Sequence, residues 1–199
     1  LIVAIAFLLS TFIHVVIVEI AQKHHCLTFL DNTFMTPLYQ NPLQLGVDVV
    51  LHSATKFLSG HSDIVAGLAV TRTKELGEQL GSIQVNFGSI LGVSDSFSLI
   101  QGIKTLGSRL KQSSESAQTL AEFLSEHSFV EKVFYPGLAN HSGRDVHFNQ
   151  AKGAGAVLSF QLPNQRAVRT FLENMHIPIY AASLGGVESI LSYPAHMSH

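Results

Sequence analysis

Short apolar runs alternate with amphipathic stretches over the first part of the chain. Residues 26–30, 47–51 and 64–70 have the length and the apolar character of buried strands. Between them, residues 18–25 are amphipathic, and residues 37–45 have a helical pattern that stops before a glycine. Strands that alternate with helices in this way predict a parallel sheet of the α/β class.

The rest of the chain is richer in helix-type patterns. Residues 99–124 carry apolar positions at helical spacing, and we expect Gly102 and Gly107 to interrupt that helix. Three weaker elements follow, which are a strand at 156–162, an amphipathic helix at 165–175 and an extended stretch at 177–182. This change in pattern predicts a sheet domain at residues 1–126 and a smaller α+β domain at residues 127–199.

The opening segment, residues 1–18, is anomalously apolar and has no charge before Glu19. About 20 apolar residues are enough to span a membrane. The segment is also rich in Ile, Val and Phe, which fits a buried parallel strand followed by a buried helix. A signal peptide would begin with a basic region, and this segment has none. We expect a buried segment or an aberrant remnant of a longer chain, with a membrane anchor as the alternative.

Composition narrows the class of protein. The 199 residues are 46% hydrophobic with a net charge of −2, which excludes general disorder and argues against nucleic-acid binding. Charged residues make up 13%, whereas soluble domains average about 25%. The low value favours a chain that hides much of its surface in a subunit interface or that is part of something larger. A single cysteine, Cys26, allows no internal disulfide and fits a cytoplasmic location.

Polar side chains follow two of the predicted strands. Asp31 comes after the first strand, and Ser53, Thr55 and Lys56 come after the second. Ligands of open α/β sheets bind at the carboxyl ends of strands, so these groups are expected at one edge. A lysine can form a Schiff base with pyridoxal 5′-phosphate (PLP). A carboxylate can hold the proton of the PLP ring nitrogen, and hydroxyls suit its phosphate.

Long stretches of the sequence resemble one known family. They read DNTFMTPLYQNPLQLGVDVVLHSATKFLSGHSDIVAGLAV at 31–70, QGIKTLGSRL at 101–110 and SLGGVESILSYPAHMSH at 183–199. Together they resemble the PLP-dependent enzymes of Cys/Met metabolism, which include cystathionine γ-synthase, cystathionine β- and γ-lyases and methionine γ-lyase. The spacing from Asp31 to Lys56 also matches that family.

The resemblance implies a role for each candidate residue. Lys56 is similar to the Schiff-base lysine and catalytic base, and Asp31 to the partner of the ring nitrogen. Ser53 and Thr55 are similar to phosphate ligands, and Ser183 to a serine near the substrate carboxylate. The implied fold is the aminotransferase-like fold type I, with part of the PLP-binding domain at 1–126 and part of the small domain at 127–199. The implied partners are a sulfur amino acid substrate and further copies of the chain in a tetramer.

The resemblance leaves two hypotheses about function. The first is a trans-sulfuration enzyme of the cystathionine β-lyase or γ-synthase type. The second is an inactive, truncated family remnant that binds PLP poorly or only with a partner chain, because the chain lacks the family's N-terminal phosphate loop and its C-terminal arginine. A metal site is not expected, since adjacent residues such as His24, His25 and Cys26 rarely form one unaided.

Overall fold

The centre of the molecule is a four-stranded sheet. The computed structural model describes residues 2–5 and 14–197. Across the sheet the strands lie in the order β1 (Ile2–Ile5), β2 (Leu27–Asp31), β3 (Val49–Ser53) and β4 (Gly67–Thr71). The first three strands are parallel, and β4 runs antiparallel to β3.

Helices and small sheets surround this centre. The α-helices are α1 (His14–Lys23), α2 (Thr36–Tyr39), α3 (Lys74–Phe87), α4 (Val93–Glu126), α5 (Arg144–Phe148), α6 (Gln165–Glu173) and α7 (Pro194–Met197), and a 3-10 helix spans Pro42–Leu45. Two further sheets pair β5 (Lys132–Phe134) with β6 (Ser159–Gln161), and β7 (Ile179–Tyr180) with β8 (Ile190–Leu191).

The direction of β4 corrects one expectation. The parallel arrangement predicted from the sequence pattern is confirmed for β1, β2 and β3, but it is wrong for β4. A parallel crossover needs a connection of about a dozen residues or more, which is usually helical. Residues 54–66, which connect β3 to β4, form turns and contain no helix. The chain therefore returns beside β3 in the opposite direction.

The helix predictions need three corrections. Residues 37–45 do not form one helix, because Pro42 forces Asn41 out of helical geometry and separates α2 from the 3-10 helix. Helix α4 is continuous for 34 residues and is not interrupted by Gly102 or Gly107. Helix α3 was not predicted, although Thr73 begins it with a side-chain oxygen that accepts a hydrogen bond from the Leu76 amide.

Buried apolar side chains form separate clusters on the sheet and under α4. One face of the sheet packs Leu30 and Val50 against Val18 of α1. A second cluster joins the connection after β3 to α4, with Ala54, Phe57, Leu58, Ile64, Leu99, Leu106 and Leu110. A third cluster packs the later part of α4 against Tyr135 and Leu138. Helix α4 therefore contacts both the connection between β3 and β4 and the C-terminal region.

The apolar opening segment is only partly described. Residues 2–5 form β1 and residues 14–23 form α1, which agrees with a strand followed by a helix, while 1 and 6–13 lie outside the described residues. Within residues 2–5 and 14–197, no helix combines the length and apolar character that crossing a membrane requires. The domain boundary between residues 126 and 127 stays a prediction.

Candidate active site

Two of the candidate residues are the last residues of neighbouring parallel strands. Asp31 ends β2 and Ser53 ends β3. Asp31 pairs in register with Leu51, and side chains alternate between the two faces of a strand. The side chains of Asp31, Leu51 and Ser53 therefore share one face, opposite to that of Leu30 and Val50, which packs against α1. The carboxylate and the hydroxyl lie at the carboxyl edge predicted from the sequence.

A continuous series of hydrogen bonds connects four of the five candidate residues. The Thr33 hydroxyl donates to Asp31 Oδ1 at 2.5 Å and accepts from the Ser53 amide at 2.7 Å. The Lys56 amide donates to the Ser53 carbonyl at 3.1 Å. The Lys56 side chain then donates from Nζ to Ser183 Oγ at 3.1 Å. Asp31, Ser53, Lys56 and Ser183 are thus brought together, although Ser183 follows Lys56 by 127 positions.

Several polar atoms at this edge remain available to a ligand. Among the described residues, Asp31 Oδ2 and the Ser53 hydroxyl have no hydrogen-bond partner, and Lys56 forms no salt bridge. A free carboxylate oxygen, a hydroxyl and an amine without an acidic partner form a suitable donor set for PLP, whose polar groups are a ring nitrogen, an aldehyde and a phosphate. The described residues therefore fit the cofactor that the sequence resemblance implies.

Thr55 is placed differently from the other candidates. Its hydroxyl accepts a hydrogen bond from the Ala66 amide at 2.9 Å and donates to the Ala66 carbonyl at 3.3 Å. The single hydroxyl proton is therefore used within the protein. In this arrangement Thr55 connects the segment after β3 to the residue before β4. Its role as a phosphate ligand stays a prediction.

The loop that carries Ser183 lies directly on the lysine backbone. Gly185 has φ +80°, and a Cβ atom built there would lie 2.5 Å from the Phe57 amide nitrogen and 2.9 Å from the Lys56 carbonyl carbon. Real Cβ atoms do not approach other atoms so closely. Only glycine permits both this backbone conformation and this contact. The loop at 183–186 therefore holds Ser183 against Lys56.

His52 lies on the opposite face of β3 from Ser53 and is buried. Its Nδ1 atom has no hydrogen-bond partner among the described residues. Burial lowers the pKa of His52 below its ordinary value of 6.5, and the nearby Asp31 carboxylate opposes this change only in part. We therefore expect a neutral imidazole beneath the candidate site at pH 7.

Thr33 is the main residue of the site that the sequence analysis missed. Its hydroxyl orients Asp31 and fixes the end of β3 at the same time. A local sequence signal for part of this arrangement existed. An Asp side chain often accepts a hydrogen bond from the amide two residues later, which forms an Asx-turn. Here the Thr33 amide donates to Asp31 Oδ1 at 2.9 Å. The bond to the Ser53 amide depends on the pairing of two strands, which local sequence does not specify.

The histidines and the cysteine that were weighed as metal ligands do not form a metal site within the described ranges. No group of three or more His, Cys, Asp or Glu side chains is arranged there to hold a metal ion. Cys26 is buried and its thiol donates to the His24 carbonyl.

Comparisons with a family model and with individual relatives indicate the same protein family. Residues 12–199 match the family model of the Cys/Met metabolism PLP-dependent enzymes. The chain is 57% identical over 183 residues to cystathionine beta-lyase MetC of Bacillus subtilis. This match covers 92% of this chain and 47% of that protein. It is 48% identical over 181 residues to cystathionine beta-lyase of Lactococcus lactis subsp. cremoris, covering 91% of this chain and 48% of the relative.

Solved structures agree with the sequence relatives. The cystathionine gamma synthase of Xanthomonas oryzae pv. oryzae, in complex with cystathionine, superposes with a TM-score of 0.91 at 42% identity, over 94% of this chain and 48% of that chain. The cystathionine gamma-lyase of Lactobacillus plantarum, complexed with L-serine, has a TM-score of 0.90 at 41% identity, over 94% of this chain and 49% of that chain.

The sequence relatives and the solved structures match the chain over a similar share of their length and indicate the same fold. The chain spans about half the length of the curated relatives it matches. The TM-scores agree with the aminotransferase-like α/β fold implied by the sequence resemblance. The family match covers almost the whole chain and includes the lysine, the carboxylate and the hydroxyls described above. This protein therefore belongs to the Cys/Met metabolism family of PLP-dependent enzymes.

Proposed function

We propose that this chain carries the lysine half of the active site of a PLP-dependent trans-sulfuration enzyme, which makes or breaks a C–S bond of a sulfur amino acid. The activity is of the cystathionine β-lyase or cystathionine γ-synthase type. The observation that carries the proposal is the contact between Lys56 Nζ and Ser183 Oγ beside the free Asp31 and Ser53 groups. The curated relatives named cystathionine beta-lyase support the substrate class.

Each residue then has a distinct task. Lys56 would bind the cofactor covalently through Nζ. Asp31, oriented by Thr33, would hold the ring nitrogen and its proton. Ser53 and Thr55 would hold the phosphate, for which Thr55 would have to give up its bond to the Ala66 carbonyl. When bound, PLP supplies an electron sink for the bond that breaks at the substrate Cα atom.

Lys56 also moves a proton. With a substrate bound, the free amine of Lys56 would act as a general base for the substrate Cα proton. Ser183 accepts a hydrogen bond from Nζ at 3.1 Å, which restricts where that amine points. The same hydroxyl would contact the substrate carboxylate, as the family resemblance implies. Positioning of this kind lowers the entropic cost of the proton transfer.

The setting of the site belongs to the same proposal. We propose a homo-oligomer, with a tetramer as the expected state, a small-molecule sulfur amino acid as the substrate, and a cytoplasmic location. Residues 1–126 form part of the PLP-binding domain and residues 127–199 part of the small domain. The support for an oligomer is the apolar surface around β4, α3 and the start of α4. Val85, Phe87 and Val93 are largely exposed there, as is Val65 just before β4.

The experiment that tests the proposed function maps the attachment site of the cofactor. The protein is loaded with PLP, reduced with borohydride and digested, and the labelled peptide is identified by mass spectrometry. We expect stoichiometric label on Lys56. Consumption or formation of cystathionine is then measured with the same preparation at its natural length.

The outcomes separate the two functional hypotheses. Label on Lys56 together with turnover of cystathionine supports the enzyme. Label on a different lysine would overturn the assignment of Lys56. Absence of specific label and of turnover would favour an inactive remnant instead.

A further inference from the structure

We infer that Arg109 of α4 is a positioning residue for Lys56, acting through the backbone of the segment that follows the lysine. This inference rests on the proposed function, because it assigns a new residue to the same site. Arg109 touches neither Lys56 Nζ nor Ser183. Its guanidinium instead holds the carbonyls of the next residues along the chain.

The guanidinium of Arg109 connects α4 to the segment after Lys56. Nη1 donates to the Phe57 carbonyl at 2.9 Å, and Nη2 donates to the Leu58 carbonyl at 3.4 Å and to the Gly102 carbonyl at 2.7 Å. Nε donates to Thr105 Oγ1 at 3.0 Å, which fixes the side chain on its own helix. One side chain thus binds successive carbonyls directly after the lysine.

The Phe57 and Leu58 carbonyls have few other hydrogen-bond donors within reach. Phe57 and Leu58 are 3% and 4% exposed, so water cannot readily replace the guanidinium. Backbone bonds of the segment run from the Ser59 amide to the Ala54 carbonyl and from the Gly60 amide to the Lys56 carbonyl. These bonds leave the Phe57 and Leu58 carbonyls for Arg109. A buried carbonyl that lost its donor would drive the segment to rearrange.

Glycines on both sides make room for this contact. A Cβ atom on Gly60 would lie 2.1 Å from Arg109 Nη1, and one on Gly102 would lie 2.3 Å from the Ser59 carbonyl oxygen. The α4 backbone therefore approaches the lysine segment as closely as its atoms allow. Gly60 also has φ +76°, a conformation that favours glycine.

The electrostatic setting agrees with binding to carbonyl dipoles. Among the described residues, no carboxylate lies within salt-bridge distance of Arg109. Burial lowers the pKa of the guanidinium below its ordinary range, but the group stays charged at pH 7. The carbonyl oxygens of Phe57, Leu58 and Gly102 are the acceptors that compensate this charge.

Two contacts therefore hold the lysine backbone from different directions. Arg109 binds the carbonyls after Lys56, and Gly185 packs on the Lys56–Phe57 peptide. The lysine side chain has several rotatable bonds, so the position of its backbone limits where Nζ can reach. Displacement of a reacting group by about 1 Å can cost about a hundredfold in rate.

The test compares Arg109→Lys with Arg166→Lys in the protein at its natural length. Lysine keeps the charge but offers a point donor instead of a planar fork, so it cannot bind the three carbonyls together. Arg166 is exposed on α6 and provides the same chemical change away from the site. The measurements are hydrogen exchange of the peptide covering residues 56–60, borohydride label on Lys56, and kcat and KM per labelled site.

We expect Arg109→Lys to accelerate hydrogen exchange at 56–60 selectively and to lower kcat per labelled site by about tenfold or more, with KM changed by less than about threefold. The pH profile of kcat should also shift, because the surroundings of the Lys56 amine change. Arg166→Lys should leave all of these unchanged.

Two results would overturn the inference. One is an Arg109→Lys protein with normal exchange at 56–60. The other is a protein with faster exchange and lower melting temperature but with unchanged kcat and pH profile per labelled site, which would mean a purely structural role. Failure of the unsubstituted protein to take label on Lys56 would contradict the proposed function, and the hydrogen-exchange comparison would still decide whether Arg109 holds the segment.

Discussion

Two regions of the sheet differ in how the chain covers them. The lysine side comprises β2, β3 and the turn that carries Lys56, and the β4 side comprises β4 and α3. Around β2 and β3, Leu30, Val50, Phe57 and Leu58 are buried, and polar groups such as Thr28 and Asp48 are paired. Strand β4 and helix α3 are also rich in apolar residues, yet every residue from Gly67 to Val70 is exposed.

The comparison separates two uses of apolar sequence. On the lysine side, burial by the same chain fixes the backbone positions closely, as the proposed chemistry at Lys56 would require. On the β4 side, Val85 and Phe87 are 71% and 82% exposed, which is unusual for a surface in contact with water. That surface fits an interface, in agreement with the proposed homo-oligomer.

Asp48 connects the two sides. Its carboxylate accepts from the Thr28 amide and hydroxyl, both at 2.9 Å, and from Arg72 Nη2 at 2.5 Å. Thr28 belongs to β2 and Arg72 follows β4, so a residue just before β3 joins the strands on either side. The variants below act on the lysine side, on this connection and on the β4 side in turn.

Replacing the lysine should have the largest effect. Lys56→Ala would remove both the proposed covalent attachment and the proposed general base, so we expect turnover to fall by at least about a thousandfold. The absorbance band of the lysine-bound cofactor should disappear. Lys104→Ala, on the exposed side of α4, is the control and should retain both. Retention of the band in Lys56→Ala would show that another lysine is used.

Disturbing the contact above the lysine should have the next largest effect. Gly185→Ala places a methyl group on the Lys56–Phe57 peptide at a positive φ, so the 183–186 loop must move and carry Ser183 away. We expect kcat to fall by about a hundredfold, measured with the cofactor content of each preparation. Gly107→Ala is the matched control, since nothing lies within 4 Å of its Cβ position. Equal activities of the two variants would contradict the role of the loop.

Removing the charge of Asp48 should loosen the connection between the two sides. Asp48→Asn should lower the free energy of unfolding by about 2 kcal/mol at pH 7, because hydrogen bonds to a charged acceptor are lost. The measurement is urea unfolding, with Asp145→Asn as a control at an exposed carboxylate. A loss no larger than in the control would mean that the Asp48 bonds contribute nothing to stability.

The same substitution predicts a change in acid stability. Burial raises the pKa of Asp48, but the bonds from Thr28 and Arg72 outweigh it and hold the pKa below its ordinary value of 3.8. A lowered pKa contributes stability above 3.8 that is lost as the pH falls through the folded-state value. The unsubstituted protein should therefore lose this contribution in acid, whereas Asp48→Asn should not.

Changing the exposed surface should have the smallest effect on the fold. Phe87→Ser should change the free energy of unfolding of one subunit by less than about 0.5 kcal/mol, because the side chain packs against little. It should nevertheless lower the association state in sedimentation velocity. Ile177→Ser is a control at a residue that is 85% exposed and distant in sequence. An unchanged association state would exclude Phe87 from the interface.

Much of the site was accessible from the sequence because it depends on local order. Strand ends are recognised by where apolar runs stop, so Asp31 and Ser53 could be placed at one edge of the sheet. The turn after β3 keeps Lys56 within hydrogen-bond distance of the Ser53 backbone. Ser183 was found only through the family resemblance, since no local pattern relates it to Lys56.

The remaining features depend on contacts between distant segments. The antiparallel direction of β4 follows from how residues 54–66 turn, and α4 continues through Gly102 because packing outweighs the cost of glycine in a helix, about 1 kcal/mol. The bonds from Arg109 to the lysine segment join residues 52 and 51 positions apart.

The amino-acid sequence by itself determined the class of fold and the carboxyl edge of the sheet, because these depend on periodicity and on the order of residues along strands. The assignment of Lys56 came from the family resemblance and stays a prediction. Only the tertiary structure decided which groups at that edge are free, which are engaged, and what holds Lys56 in place. Those properties arise from hydrogen bonds between α4, the 183–186 loop and the turn after β3, and the pairing of such distant segments is set by the packing of the whole chain.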